Sequence, residues 1–581
     1  MKTRYIPALF LSLTLFGATA QTDNKKSLQR AVTIEKEFTP IVQDASKINS
    51  IPEMEVSASE RPDIKYTEWK NAREETPSVT ILPAGDNGVE APDRQRGYAR
   101  IEIGNYLNIN ANAGVRIIDK TRDQLLFWYQ HNSTNGTLSY LRYNNSVNTG
   151  DDETKQRRND NKLNLKYTHI FDNFSWQTSA YYRYNGFNYY GKPLYKSKKD
   201  IFGLASTTDQ QTVQHYGIDT KIVSKPNKSI NYTAEINYKG YNSDLGLFYG
   251  QRGVLENHLT TRIDGNAPIN EFYNIGIAVS MDNLIYNRCD KESYTILRAN
   301  PYFGIEKEKI RFKAGLLVDL SFNDNTIFRI APDLRFEWEF DKLCFLYAQL
   351  TGGKSINSWE KMSTLTSYID PTSSMANTYT PADFTVGLRT TTFKKLHFTL
   401  YGGKKYSVDA LFDYRQQIID VTGSTGRLTR PVISFYATDA YAWKAGFEIQ
   451  YAPRDFLKAH LAWEHNEWHR KGGKERILSS QPRNEWKAGV TVIPIRPLDI
   501  TADFYMADGL GYRNRVEGNI NYPEAGNLPN IVTLNLGAVY RLNKQIHFSA
   551  QLNNLLSKRT DLFYGMPAQR FHFLVGAGVV F

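Results

Sequence analysis

QRFHFLVGAGVVF, residues 569–581, is the last stretch of the chain and the one whose reading decides the fold. Phe571, Phe573, Val575, Ala577, Val579 and Phe581 fall on one side of an extended segment, and His572, Leu574, Gly576, Gly578 and Val580 on the other. A strict period of two with one apolar face marks a β-strand. The strand stops on the aromatic Phe581, as strands that close a membrane barrel do at the water boundary.

The same period recurs upstream. Leu163, Leu165, Tyr167, His169 and Phe171 alternate with Lys162, Asn164, Lys166 and Thr168. Ile310, Phe312, Ala314, Leu316, Val318, Leu320 and Phe322 alternate with Arg311, Lys313, Asp319 and Ser321. Such runs extend over about ten to fourteen residues, against roughly five or six in soluble sheets, and suit a tilted bilayer crossing. Between them the connections alternate in length. Long ones are expected near 554–569, 507–529, 465–483, 404–437, 352–380, 283–293, 240–252, 186–210 and 145–160. Short ones are expected at Asn543-Lys544, Arg496-Pro497, Pro453–Asp455, Lys394-Lys395, Asp341-Lys342, Lys307-Glu308, Ala267–Asn270, Pro226-Asn227 and Asp172-Asn173. One rim of tight turns and one of long loops is the rule for outer-membrane barrels. With a turn at Ser133–Gly136, an outer turn at Lys120–Arg122 and a first strand within 98–119, the chain reads as all-β. The expected fold is a transmembrane antiparallel β-barrel of about 22 strands over 97–581, even in number because both ends lie at the tight-turn rim. A lumen of that width is not filled by wall side chains alone.

The first twenty residues, MKTRYIPALFLSLTLFGATA, carry Lys2 and Arg4, an apolar run too short to span a bilayer, and Ala18-Thr19-Ala20 at the end. They read as a secretory signal, residues 1–20, cleaved before Gln21. Residues 21–96 are polar and broken by Pro40, Pro52, Pro62, Pro77, Pro83 and Pro92, and read as a periplasmic arm or a partial lumen filler. No later run of eighteen apolar residues occurs and mean hydropathy is −0.50, which excludes helical spans and leaves a barrel as the way into lipid. An aromatic content of 13% with 37 Tyr suits aromatic girdles. Cys289 and Cys344 lie on segments expected apart. The formal net charge is +11, of which Lys2 and Arg4 supply two, leaving +9. These charges are scattered among apolar positions, so anionic lipid and not nucleic acid is the expected contact.

Asn554, Leu555, Leu556, Ser557 and Lys558, followed by Tyr564, Pro567 and Arg570 before the last strand, resemble the end of TonB-dependent receptors, with departures at Ser557 and at the Pro-Ala-Gln-Arg spelling of the final turn. The resemblance implies a 22-stranded barrel, a receptor or uptake role, and assembly into the membrane through the C-terminal strand. It also implies a globular plug preceded by a box that TonB grips, and 21–93 is too short and proline-broken for that plug. Val32-Thr33-Ile34 reads as an edge strand and not as the box. The chain thus looks like a plugless relative, with coupling to TonB left open. GYARIEIGNYLNINANAG and STNGTLSYLRYN are also similar to plugless barrels of the Bacteroidota.

No P-loop, GxSxG, HExxH or paired CxxC pattern is present, and no catalytic, cofactor or metal residue is assigned. Glu464, His465 and His469 form the densest local cluster, and a solvated loop face accounts for it. The polar face of the strands should line the lumen, with Lys166, Arg183, Arg311, Lys313, Arg389 and Arg541 as basic candidates and Phe581 as the barrel-closing aromatic. Two roles are open to the basic groups: a mild anion preference of a pore, or an ion-pair lattice bracing the wall. Three functions follow: a receptor-like channel with loops 352–380 and 404–437 as ligand surface, a scaffold whose residues 21–96 recruit periplasmic proteins, or an enzyme at the outer rim, which the motifs disfavour.

Overall fold

The computed structural model describes residues 96–581 apart from 142–152, 193–209, 227–228, 245–252, 325–326, 342, 374, 391–394, 421–426, 429–431, 455 and 518–524. The expected signal at 1–20, the arm to residue 95 and the Val32–Ile34 segment lie outside the described residues.

Among the described residues one sheet closes on itself. Its first strands are β1 (Gly97–Gly104), β2 (Ile109–Asp119), β3 (Asp123–Ser139), β4 (Glu153–Ile170), β5 (Phe174–Asn188), β6 (Gln210–Ser224), β7 (Asn231–Ser243) and β8 (Leu255–Pro268). Then come β9 (Tyr273–Asn287), β10 (Tyr294–Lys307), β11 (Ile310–Phe322), β12 (Phe328–Asp341), β13 (Cys344–Ser355), β14 (Thr378–Thr390) and β15 (Leu396–Asp420). The ring is completed by β16 (Val432–Arg454), β17 (Leu457–Arg470), β18 (Asn484–Ile495), β19 (Leu498–Asp508), β20 (Ile531–Arg541), β21 (Ile546–Asn553) and β22 (His572–Val580). Each strand pairs antiparallel with the next, and β22 returns to β1 in the register Tyr98↔Val580 to Gly104↔Leu574. Closure leaves no edge, which is what lets a sheet sit in lipid with its backbone satisfied.

The period of two sorts the side chains. Ile101, Ile103, Leu163, Leu165, Ile218, Ile236, Ile263, Ile275, Phe328, Trp338 and Val575 are exposed on the outer face. Glu102, Asn164, Asp282, Asp319, Asp333, Glu337 and Asn535 are buried on the inner one. That is the inverse of a water-soluble barrel. On the inner face, tyrosine rings lie over glycines of the neighbouring strand: a Cβ on Gly114, Gly217, Gly276, Gly387 or Gly446 would overlap Tyr98, Tyr181, Tyr302, Tyr347 or Tyr401. The seam uses the same device at its end. Phe581 exchanges two backbone hydrogen bonds with Gly97, both 2.8 Å, and its ring occupies the space a side chain at 97 would need.

Three expectations are corrected. Ser133–Gly136 is no turn; it lies inside β3, where Gly136 gives room to the Tyr106 ring and Thr134 Oγ1 donates to Tyr106 O (3.2 Å). The turn is at 105–108, where Tyr106 and Leu107 take φ of 57° and 46° without a glycine at either position, and the flanking Gly104-Asn105 was its only turn signal. Lys120–Arg122 then sits at the tight-turn rim, with Arg122 paired to Asp172 at 2.9 Å, and the expected first strand of 98–119 is two strands. The errors compensate, so the number of strands is unchanged. Last, 404–437 is mostly not a loop: β15 and β16 keep pairing past a bulge at Ser407/Ala410, from Ala410↔Thr438 to Gln416↔Val432. Their polar alternation there had read as loop.

Candidate functional site

The candidate site is the long-loop mouth, into which the chain folds back. Residues 356–377, between β13 and β14, carry a single-turn helix α1 (Trp359–Met362) capped by Ser358, whose Oγ accepts from Lys361 N (3.1 Å). The amides of Trp359 and Glu360 donate to the carboxylate of Glu256 on β8 at 2.8 and 3.3 Å, and Glu256 is fully buried. Orphan amides at a helix start favour an anion, so the carboxylate both satisfies them and is satisfied.

From α1 the segment crosses the mouth. Tyr368 Oη donates to Asn188 O at 2.8 Å and its ring meets Phe187, Tyr189 and Tyr190 at 5.2, 5.1 and 5.7 Å, all at the end of β5. On its other side Asp370 N donates to Ile433 O and Ile433 N to Tyr368 O, both 2.9 Å, and Ser434 Oγ donates to Asp370 Oδ2 at 2.5 Å, all on β16. β5 and β16 are eleven strands apart in a ring of 22, which is half the circumference. The segment is therefore a strap that ties together, within two residues, the ends of strands from opposite sides of the ring, which come together at the mouth. Trp359, Met362, Tyr368, Ile369 and Met375 are buried with Phe187, Val213, Tyr241, Leu284, Tyr286, Tyr294 and Ile296 in one apolar cluster. A barrel whose wall faces inward with polar groups thus holds its largest apolar core at the mouth.

A second segment adds to the closure. Between β21 and β22 the chain makes a small hairpin, Asp561–Phe563 with Met566–Pro567, turning at Gly565 (φ 72°). Lys192 N donates to Gly565 O (2.7 Å), Arg415 Nη1 donates to Tyr564 O (2.6 Å), and Met566 enters the apolar cluster.

The Lys291 cation is held inside this structure. The Lys291 ammonium lies 5.2, 5.1 and 5.7 Å from the ring centres of Tyr286, Tyr294 and Trp359, and donates to Met375 O at 2.6 Å. Burial pulls its amine down to about 8, while the ring faces attract the charged form.

The six basic candidates are distributed along the wall and do not converge. Arg183 grips Asp160 with two bonds of 2.7 Å. Arg311 and Arg389 share Glu337, the latter at 2.6 Å, Lys313 pairs with Asp333 at 2.8 Å, and Arg541 with Asp499 at 2.9 Å. Lys166 has no ion pair among the described residues. Of the histidine cluster, His465 and His469 approach Glu467 at 3.9 and 3.7 Å, and no set of three metal-ligating residues occurs among the described residues. Cys289 and Cys344 are both free thiols. Loop 352–380 contains the strap, whereas Glu256, Lys291 and Arg415 were not singled out by sequence. A 22-residue connection with its own capped turn, Ser358-Trp359-Glu360-Lys361, was the available signal; Arg415, in a plain alternating run, offered none.

No family model matches the chain, and no curated protein matches it. Solved structures do. A mutant of the ferric enterobactin receptor from Pseudomonas aeruginosa, in complex with enterobactin, aligns with a TM-score of 0.60 at 11% identity, over 84% of this chain and 81% of that one. The copper transporter OprC gives 0.57 at 13%, over 84% and 80%. The siderophore receptor PirA from Acinetobacter baumannii gives 0.60 at 9%, over 84% and 80%. At these identities the likeness is one of fold.

Proposed function

We propose that this chain is an outer-membrane receptor of the uptake type, seated in lipid by its outer apolar belt, whose mouth is held shut by its own strap. The observation that carries the reading is the combination of a closed 22-stranded wall, apolar outside and polar within, with a single segment tied to opposite sides of the mouth. Solved barrels of the same fold are named as receptors for ferric enterobactin and other siderophores and as a copper transporter, which supports the class and not the solute. In this reading the barrel-assembly machinery engages the C-terminal strand and Phe581, residues 21–96 contact a periplasmic protein or the lumen, and TonB coupling is open because 21–93 is short for a plug. Unpaired Lys166 would give the open pore a mild anion preference.

The test is conductance in planar bilayers. The full chain is expected to be nearly silent, and a variant with 357–373 replaced by a short Gly/Ser linker to conduct steadily with a reversal potential on the anion side. A second reading, a non-transporting scaffold, draws on the strap's ties to both sides of the mouth. A folded variant that stays silent without its strap would establish that reading in place of uptake.

A further inference from the structure

Arg415 is buried on the inner face of β15, at 2% exposure, where the strap wall, the 561–567 hairpin and the segment Gly511–Glu517 meet. A guanidinium does not lose its charge in a protein, so its burial calls for a compensating anion. Among the described residues its hydrogen-bond partners are all neutral. Nη1 donates to Tyr564 O, and Nη2 to Lys192 O and to the Tyr189 hydroxyl (3.3 Å). Nε has no hydrogen-bond partner, and among the described residues no carboxylate forms an ion pair with Arg415. Asp413, which lines the same cleft, accepts from Ser480 N at 3.0 and 3.3 Å, and Asp561, in the hairpin whose Tyr564 carbonyl Arg415 holds, accepts from Gly565 N at 2.7 Å.

Beside Arg415 is a small cleft, open on one side, with a volume of about 10 Å³, room for a single water-sized atom; it is lined also by Asp413, Ser480, Tyr512, Arg513 and Tyr564. Arg513 adds a second guanidinium, seated over the Tyr436 ring at 5.4 Å, and the Tyr512 and Tyr564 rings, 4.4 Å apart, form an apolar wall. From this geometry we propose that the mouth contains a binding subsite for an oxyanion, the carboxylate or phosphate group of a solute, which places one oxygen in the cleft on the free Nε–H of Arg415 and leaves the rest of the solute on the open side. A clamp that only tied carbonyls together would need no third donor and no cleft. Because Arg415 bridges β15, the loop after β5 and the last hairpin, an occupied subsite would also tighten the closed mouth. The subsite deepens the receptor reading and rests on it for its purpose, but binding needs no passage of solute.

The test is isothermal titration of the full chain in detergent with inorganic phosphate and with acetate, each against chloride at matched ionic strength. One-site saturable binding of either anion is expected, weakened at least tenfold in Arg415→Gln and partly retained in Arg415→Lys. Heat-modifiable gel mobility shows which variants have closed into barrels, and Ser480→Phe, which fills the cleft while leaving Arg415 in place, is expected to abolish binding as well. Absence of saturable binding in the wild-type chain, or unchanged binding in a folded Arg415→Gln protein, overturns the proposal. If no variant assembles, the wild-type titration decides. A barrel that binds phosphate yet never conducts would sink uptake and leave the subsite; one that conducts without its strap but binds no oxyanion would do the reverse.

Discussion

Glu337 is buried between Arg311 and Arg389, and both guanidiniums donate to it. Replacing it by Gln leaves two cations facing one neutral amide. Because both arginines are partly exposed, the expected cost is roughly 2 kcal/mol and not the larger figure of a dry pair. It should appear as a lower thermal midpoint in detergent, with Arg311→Gln costing less because Arg389 remains on the carboxylate. Lys291 makes a prediction about pH. Its amine sits near 8 in the folded protein, against an ordinary value of 10.5, so the unfolded chain holds the extra proton between those values. Stability should therefore rise with pH from about 8 towards 10, and be flat below that window, where both states are protonated. Thermal midpoints at pH 7, 8.5 and 9.5 check this against Lys291→Met. The gap between the two proteins should change only above pH 8, and parallel curves throughout would refute the assignment.

At the scale of elements, the strap is held chiefly by what α1 buries. Trp359 is 2% exposed, stacks edge-on against Tyr286 at 5.3 Å, and donates from Nε1 to Asp370 O at 3.2 Å, so one side chain ties the helix, β9 and the far half of the strap. Trp359→Ala is expected to cost about 3–5 kcal/mol of docking. The outcome to look for is proteolytic cleavage within 356–377 and intermittent conductance, while the wall stays heat-modifiable. Resistance equal to wild type would mean that the strap is held by its hydrogen bonds alone. Local sequence predicts such elements unevenly. The tight turns at Asp172, Arg496-Pro497 and Asn543-Lys544 were legible from Pro, Asn and Asp, whereas at Tyr106-Leu107 the residues with positive φ carry no turn preference and only the flanking Gly104-Asn105 marks the place. Gly136, which looked like a turn glycine, is where a ring from that turn needs space.

At the scale of the whole molecule the decisive joint is the seam. β22 meets β1 over seven residue pairs, and Phe581 extends it with two backbone bonds to Gly97. Deleting Phe581 removes those bonds, about 1 kcal/mol each, and the ring that covers Gly97. The expected result is a smaller heat-modifiable fraction after refolding into lipid vesicles, with an unchanged fraction showing that the seam closes without it. Inside the seam, Gly576 and Gly578 leave room for the side chains of Glu102 and His547, and Glu102 accepts from Ser549 Oγ at 2.6 Å. The small residues on the inner side of the last strand are thus accounted for by what two neighbouring strands place there.

The alternation of side chains and the alternation of connection lengths were enough to determine a closed barrel of 22 strands and its apolar outer face, because facing lipid or lumen is settled one residue at a time along each strand. Only the tertiary structure decided what fills the mouth, which charges meet and where a guanidinium is left with a free donor. Those contacts join positions such as Asn185 with Ser367 and Arg415 with Lys192, 182 and 223 residues apart, and no local pattern encodes a meeting that only closure of the ring brings about.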